Sequence, residues 1–278
     1  MRARLTLRRH APPIVMGLPG LVFLLALFAY PVLRLFSLSL DGGSFSPYFE
    51  IAEDRFYFFI LLETLKIGLF VALFSIILGY PVAFVMATAS RYWATLVLIC
   101  VLLPFWTSML VRTYAWMAIL GREGVINNVL IAFGVVDQPL RLLYNLNAVL
   151  IGMVHVLMPF FILPVYAVMR RIDPQLLQAA EGLGAGWWSV FRHIYLPLTL
   201  PGVAAGTALV FILSIGFFIT PALLGGGRVM MMSVLIEQEV RSFLNWELAG
   251  ALSVVLLAAT LLVYGVLSRL GRPRQGDG

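Results

Sequence analysis

Lysine occurs once in this 278-residue chain, at Lys66 in the run LETLKIG, and cysteine once, at Cys100. A G-x-x-x-x-G-K-[ST] phosphate loop needs its lysine directly after a glycine, so no such loop exists here and the chain does not hydrolyse ATP by that route. The lone cysteine excludes an intramolecular disulfide and a cysteine-cluster metal site. Charge is scarce as well: Asp, Glu, Lys and Arg make up 12% of the residues, where an average soluble domain carries about 25%. What fills the space is apolar, 62% of the chain, with a mean hydropathy of +0.99. This is the composition of an integral membrane protein.

Six stretches approach the ~20 apolar residues that a bilayer core requires: about 14–36, 61–87, 94–120, 146–169, 200–223 and 248–268. Arg2, Arg4, Arg8 and Arg9 give the start the look of a signal peptide. The apolar stretch behind them is long enough to span and no small-residue cleavage site follows it, so it reads as a retained first span. Pro31, Pro81, Pro104, Pro159, Pro164 and Pro221 fall in or beside the six windows. Membrane helices accept such kinks because neighbouring helices satisfy the freed backbone groups. The expectation is an all-α bundle of six spans forming one domain over 1–278. Its orientation follows from arginine. The N-terminus, the 88–93 turn, the 170–200 loop and the tail hold eleven arginines, against five in the alternate loops, or six with Arg34. The positive-inside bias therefore places both termini and the 170–202 loop in the cytoplasm. Topology accounts for the net charge of +6, and no nucleic-acid partner is implied.

The loop 170–202, RRIDPQLLQAAEGLGAGWWSVFRHIYLPLTLPG, is the longest break in the apolar pattern of the second half. Asp173 followed by Pro174 is a helix start, because Asp caps and Pro suits the first helical position. Leu176, Ala180 and Leu183 share one side of that helix, and Gln175, Gln178 and Glu181 another. Gly182 and Gly184 end it. A second apolar set follows at Trp187, Val190, Phe191 and Ile194, and Pro197 and Pro201 close the unit. The pattern predicts two short amphipathic helices joined by a glycine elbow, an element that needs a surface to lie on.

The run from 177 to 202, L-Q-A-A-x-x-L-G-A-x-x-W-x-x-F-x-x-I-x-L-P-x-x-x-P-G, resembles the "EAA" cytoplasmic loop of binding-protein-dependent ABC importer permeases of type I. LGYPVAF (78–84), LPFWTSMLVRTYAW (103–116), MVHVLMPF (153–160) and FITPALLGGG (218–227) are similar to the spermidine/putrescine branch of that family. The resemblance implies a type I permease fold. It also implies that the loop carries a coupling helix, docking through Gln178, Ala179, Ala180, Leu183, Gly184 and Ala185 in a cleft of a separate ATPase. The implied partners are two cytoplasmic ATPase subunits, a second permease (identical or homologous), a periplasmic solute-binding protein and the lipid of a bacterial inner membrane. ATP and Mg belong to the ATPase, while this chain binds no cofactor and is not itself an enzyme. Two positions depart from the family pattern. Gln178 stands where a glutamate is usual, which leaves a hydrogen bond but no ion pair. Phe217, in Gly216-Phe217-Phe218, stands where many relatives carry an acid that suits a cationic amine. The implied cargo is a polyamine; another small polar, nitrogen-containing solute, such as an amino-acid derivative, is the alternative.

Polar and aromatic residues inside the spans are candidates for the translocation path, since ionisable groups there face a bundle interior or a water cavity. Glu63 and Lys66, three apart, form either a self-neutralising interfacial pair or a polar patch on the path. Arg112 lies inside the third span and serves as a clamp on helix-end carbonyls or as a contact for a carboxylate. His155 reads as a hydrogen-bonded packing histidine or as a residue with a proton or substrate role. Trp106, Tyr114 and Trp116 are interface anchors or cation-stacking rings. Ser108, Phe217 and Thr220 complete the set, with a helix break expected in 217–227. Gly202 and Gly206 form a G-x-x-x-G step for close helix approach, within the chain or in an assembly. Two other classes compete. A secondary transporter would show an internal repeat, which is not visible. An intramembrane serine hydrolase could pair Ser108 with His155, but no G-x-S-x-G elbow surrounds the serine.

Overall fold

The computed structural model describes residues 13–40 and 43–270. The arginines at 2, 4, 8, 9, 272 and 274, Asp41 and both chain ends, on which the orientation argument drew, lie outside them. The described residues form helices α1 (Pro13–Leu38), α2 (Ser46–Glu53), α3 (Arg55–Thr88), α4 (Arg91–Leu102), α5 (Met109–Leu120), α6 (Val125–Ala132), α7 (Leu146–Met169), α8 (Pro174–Gly182), α9 (Trp187–Val190), α10 (Leu196–Ile215), α11 (Ile219–Gly225), α12 (Met232–Gln238) and α13 (Trp246–Leu270), with no strand among them. Five helical stretches are long and apolar enough to cross a membrane: the first near the N-terminus, then Arg55–Thr88, Leu146–Met169, Trp187–Ile215 and one beginning at Trp246. A bent pair makes six if it counts as one span. The protein is an all-α, multi-pass membrane protein.

α7 is the axis of the bundle. Asn145 starts it, its Oδ1 accepting the Ala148 N–H at 2.9 Å, as an N-cap should. Met153, Leu157, Phe161, Ile162 and Val165 are all at most 1% exposed, and α7 packs most extensively against α10 and α3. Lipid tails are as apolar as these side chains, so association depends on close backbone approach rather than on leaving water. Glycines supply that approach. A β-carbon at Gly206 would lie 2.9 Å from the Phe161 carbonyl oxygen and 3.2 Å from its Cα. At Gly202 it would lie 3.1 Å from the Val165 Cα. The G-x-x-x-G step therefore takes α7 of the same chain as its partner. α1, by contrast, touches the rest of the bundle mainly along α13, where Gly250 admits Leu35 and Ser39.

One window read as a continuous span is not continuous, and another breaks close to where a break was expected. The third, 94–120, is broken. α4 passes into a 3-10 turn at Leu103–Trp106, Thr107 and Ser108 are extended, and α5 leaves so that the two arms meet at 102°. Pro104 removes one backbone donor, and its own carbonyl accepts both the Thr107 N–H at 3.1 Å and the Thr107 hydroxyl at 2.7 Å. The turn thus satisfies itself instead of continuing the helix. The fifth window, 200–223, ends early: α10 stops at Ile215, and α11 begins only after Gly216–Phe218.

The cytoplasm-assigned hairpin differs as well. α9 is not a separate amphipathic helix closed by Pro197 and Pro201. It runs through a π-helical turn at Phe191–Tyr195 directly into α10, giving one stretch from Trp187 to Ile215. Proline inside an α-helix meets the carbonyl four residues back. The wider π turn in front of Pro197 moves that carbonyl away, so the chain passes the proline without breaking.

Candidate functional site

The hairpin is built residue by residue from its caps. Asp173 Oδ1 accepts the Gln175 N–H at 2.9 Å, with Pro174 at the first helical position of α8. At the other end Gly184 takes a φ of +85°. Its N–H donates to the Glu181 carbonyl at 2.9 Å, and the Ala185 N–H donates to the Ala180 carbonyl at 3.1 Å. Those two bonds make a Schellman cap, which needs a left-handed residue at this point. The cap presents a small and apolar surface outward. Leu183 is 90% exposed, Gln178, Ala179 and Gly184 are exposed, and Ala180 and Ala185 are half-buried. Trp187 and Trp188 flank it, both exposed.

An aromatic ladder ties that surface to the spans. Phe191 stacks with Trp187 and with Trp188, both at 5.7 Å between centroids. It meets Phe84 of α3 edge-on at 6.0 Å, and Phe84 in turn meets Tyr195 at 5.4 Å. One rung higher, the Tyr80 and Thr199 hydroxyls share a hydrogen bond of 3.0 Å. Displacing the hairpin therefore loads α3 and α10 together. Individual aromatic pairs contribute about 0.5–1.5 kcal/mol, so the ladder is stiff compared with thermal energy.

The intramembrane candidates divide into three places. In the first, α5 meets α7 and α11. Thr113 and Thr220, both fully buried, share a hydrogen bond of 3.3 Å. Trp116 Nε1 donates to His155 Nδ1 at 3.2 Å with the rings edge-on at 5.6 Å. That bond fixes the neutral ring with its proton on Nε2. Trp116 and His155 line a cavity of about 610 Å³ with Asn147, Phe74, Leu78 and Met158. Arg112 directly precedes Thr113 on α5, and its Nε and Nη1 are buried with no hydrogen-bond partner. The second place is the bend itself: Trp106, 90% exposed, Ser108 and Tyr114 all face outward. Ser108 precedes α5 without a side-chain cap bond, and His155 Nδ1 is already engaged by Trp116, so these two do not form a hydrolase pair. The third place is the end of the bundle away from the hairpin. There Glu63 pairs with Lys66 at 2.9 Å and lines a cavity of about 280 Å³ with Arg228. Phe217 belongs to none of these; it is half-buried against the core, and its carbonyl accepts the Ser233 hydroxyl at 2.8 Å.

Sequence reasoning thus picked out His155 and Trp116, which the structure brings together, and Thr220, which meets α5 through Thr113, the neighbour of Arg112. It missed Thr113 and Asn147. Thr113 carries no signal beyond its neighbour Arg112, and Asn147 sits two residues past the Asn145 cap, where a polar residue looks like loop. Another omission is Glu239, a buried residue on the π-helical turn Glu239–Phe243. Burial, and then the nearby Glu50, push its carboxyl above the usual carboxylate range.

Comparison with known proteins gives consistent matches. Residues 13–274 match the family described as the inner membrane component of binding-protein-dependent transport systems. The chain is 35% identical over 254 residues to the spermidine/putrescine transport system permease protein PotB of Haemophilus influenzae, covering 88% of each. It is 36% identical over 220 residues to the Escherichia coli protein of the same name, covering 78% of this chain and 80% of that one. Among solved structures, a bacterial ABC transporter that imports the acidic polysaccharide alginate shares the fold with a TM-score of 0.71 at 17% identity, over 94% of this chain and 95% of that one. A chain of the MetNI methionine transporter does so with a TM-score of 0.58 at 18% identity, over 77% and 93%.

Proposed function

This chain belongs to the inner membrane components of binding-protein-dependent transport systems, and on that premise we propose that it is a membrane-spanning subunit of an ATP-driven importer for polyamines. The observation that carries the cargo is the 34–36% identity, over most of the chain, to permeases named for spermidine and putrescine. The importer's remaining parts are a second permease, two cytoplasmic ATPase subunits that bind ATP and Mg, and a periplasmic protein that delivers solute. The exposed cap of α8 supports the coupling role. A surface of Ala179, Ala180, Leu183 and Gly184, held rigid by a Schellman cap, is apolar enough to need a partner and small enough to enter a cleft. Closure of the ATPases would move this hairpin, and the Phe191 ladder would pass the motion to α3 and α10, two packed neighbours of α7. That is a two-state bundle biased from a distant site.

Within the bundle, the cavity of about 610 Å³ is the best candidate stretch of path. Its one indole, one neutral imidazole and the Asn147 amide, on otherwise apolar walls, offer stacking and a polar contact to an alkylammonium chain without binding it so tightly as to stop release. Arg112 favours a second reading, a solute bearing a carboxylate, because two of its buried nitrogens lack acceptors. Uptake into vesicles holding the whole complex decides between them, with labelled putrescine competed against spermidine and against amino acids. Polyamine uptake that is unchanged or faster in Arg112→Gln supports the polyamine reading. Wild-type uptake of carboxylate-bearing solutes alone, lost in that variant, overturns it.

A further inference from the structure

A cleft of about 540 Å³ separates α10, α12 and α13, and it shares no residue with the cavity assigned to the path. Its α13 wall is a single helical stripe, Ser253, Leu256, Leu257 and Thr260, at positions i, i+3, i+4 and i+7. Ile212 and Ile215 of α10 form the wall opposite. Ile236 of α12 and Val240 of the π-helical turn after it form the third. Ile212 and Leu257 are exposed, so the cleft opens sideways to whatever surrounds the bundle. Its hydroxyls are turned away from a polar guest. Ser233 donates to the Phe217 carbonyl at 2.8 Å, Ser253 to the Ala249 carbonyl at 2.8 Å, and Thr260 to the Leu256 carbonyl at 2.7 Å. With its donors engaged, the cleft suits a hydrocarbon chain rather than a solute.

The charged lining of this cleft is one opposed pair, Glu237 and Arg241. Arg241 reaches Glu237 Oε1 at 3.2 Å through Nε alone, and its side chain is 76% exposed. The two Nη groups are therefore left to face outward, and so is Oε2 of Glu237. The pair sits at a marked depth. Phe243, Leu244 and Trp246, all exposed, form an apolar tip between Arg241 and the start of α13, the usual composition of a membrane–water boundary. The tip is held in place. Leu244 takes a φ of +56°, the Asn245 N–H donates to the Glu239 carbonyl at 2.9 Å, and Asn245 Oδ1 accepts the Leu248 N–H at 3.1 Å. From Trp246 to Thr260 α13 descends about 21 Å, which covers one leaflet, about 15 Å of hydrocarbon, and part of its headgroup layer. An apolar slot one leaflet deep, with a cation and an anion side by side at its head, has the charge pattern of a zwitterionic lipid in complement.

We propose that the cleft is a phospholipid site that selects an ethanolamine headgroup: one acyl chain lies between α10 and α13, the phosphate meets Arg241, and the ammonium meets Glu237. The guanidinium fork suits phosphate oxygens, and a primary ammonium donates to the carboxylate where a choline, with no N–H, does not. An anionic lipid would bring its charge against Glu237. The site depends on the membrane placement of the chain and not on the cargo. For the test, the chain is purified in detergent with the subunits that accompany it, stripped of lipid, and titrated with phosphatidylethanolamine, phosphatidylcholine or phosphatidylglycerol of identical acyl chains. Bound lipid is counted by native mass spectrometry, and lipid held elsewhere on the complex cancels between variants of this one chain. Wild type should hold one more phosphatidylethanolamine per copy of this chain than Arg241→Gln does, with about tenfold tighter binding, as for loss of one charge-assisted contact. Glu237→Gln should abolish the preference for phosphatidylethanolamine over phosphatidylglycerol. Ser253→Trp, which puts an indole into the α13 wall, should reduce binding of all three lipids. Elution volume and helical content report folding; should the bulky Trp variant misfold, the two variants of the exposed headgroup pair decide alone. Equal lipid counts and equal selectivity in wild type, Arg241→Gln and Glu237→Gln overturn the proposal, as does a wild type that binds no phosphatidylethanolamine. Loss of an accompanying membrane subunit from Ser253→Trp at unchanged lipid count overturns it too, because a partner helix then fills the cleft.

Discussion

Gly184 offers a clean measurement of how much the shape of the hairpin matters. Its φ of +85° belongs to the left-handed region, and a β-carbon built there has nothing within 4 Å. Replacing it therefore introduces no clash, and the whole effect is backbone strain. For an ordinary L-residue that strain is about 1–2 kcal/mol, a factor of roughly 5–30 in the population of the capped form. A β-branched side chain lies at the upper end, while Asn tolerates the conformation. Gly184→Val should thus release the bonds from the Gly184 and Ala185 N–H groups in most molecules and re-aim α8, while Gly184→Asn should leave them in place. Reconstituted complexes carrying each variant would be assayed for solute-stimulated ATPase activity and uptake. The Val variant should lose roughly an order of magnitude in both, and the Asn variant should stay within about twofold of wild type. Equal activity of the two variants would refute the claim that the left-handed elbow aims the coupling surface.

Other expectations rest on separate features. Ala180→Asp puts a carboxylate on the surface meant for the ATPase cleft, where an unpaired buried charge costs several kcal/mol; ATPase co-purification and uptake should collapse while the chain still inserts. Gln178→Glu should be tolerated or strengthen assembly in the same pull-down. Gly206→Ala forces a methyl against the Phe161 backbone, which cannot swing aside, and should lower stability by about 1–3 kcal/mol, read as a lower unfolding midpoint in detergent. Gly20→Ala, with open space around it, is the control that should not lower it. Glu239 holds its proton more tightly folded than unfolded, so stability should fall as pH rises above the ordinary carboxylate range. Glu239→Gln removes that loss, and its melting midpoint should exceed wild type at neutral pH and converge with it as the solution is acidified to about pH 4.

How much of this was readable beforehand differs from element to element. α8 was legible to the residue, because caps are local: Asp173, Pro174 and Gly184 each do their work within four positions. The break between α4 and α5 was not, because hydropathy carries no direction and 94–120 is apolar on both sides of the 102° bend. Pro104 announced a kink but not that Thr107 would bond the Pro104 carbonyl and turn the chain. The π turn before Pro197 was hidden for the opposite reason: two prolines within five residues look like a stop, and nothing in FRHIY marks the wider turn that carries the helix past them. In the site, isolated polar residues such as Arg112 and His155 stood out against an apolar background. Their relation did not, since Trp116 and His155 are 39 positions apart and only the packing of α5 on α7 joins them.

The π turn at Phe191–Tyr195 is, in effect, one surplus residue inserted into a helix, and a helix advances by about 100° per residue. Everything beyond Tyr195 is therefore rotated in phase relative to the phase that Trp187 and Trp188 would dictate by plain α-helical counting. That offset is what lets the two tryptophans sit over the hairpin while Gly202 and Gly206 face α7. Deleting a single residue from FRHIY would let the turn relax to an ordinary helix. The ladder and the glycine step could then no longer both be in register: either the tryptophans would leave the hairpin, or the glycines would turn away from Phe161 and bring bulkier neighbours such as Val203 or Leu209 towards it.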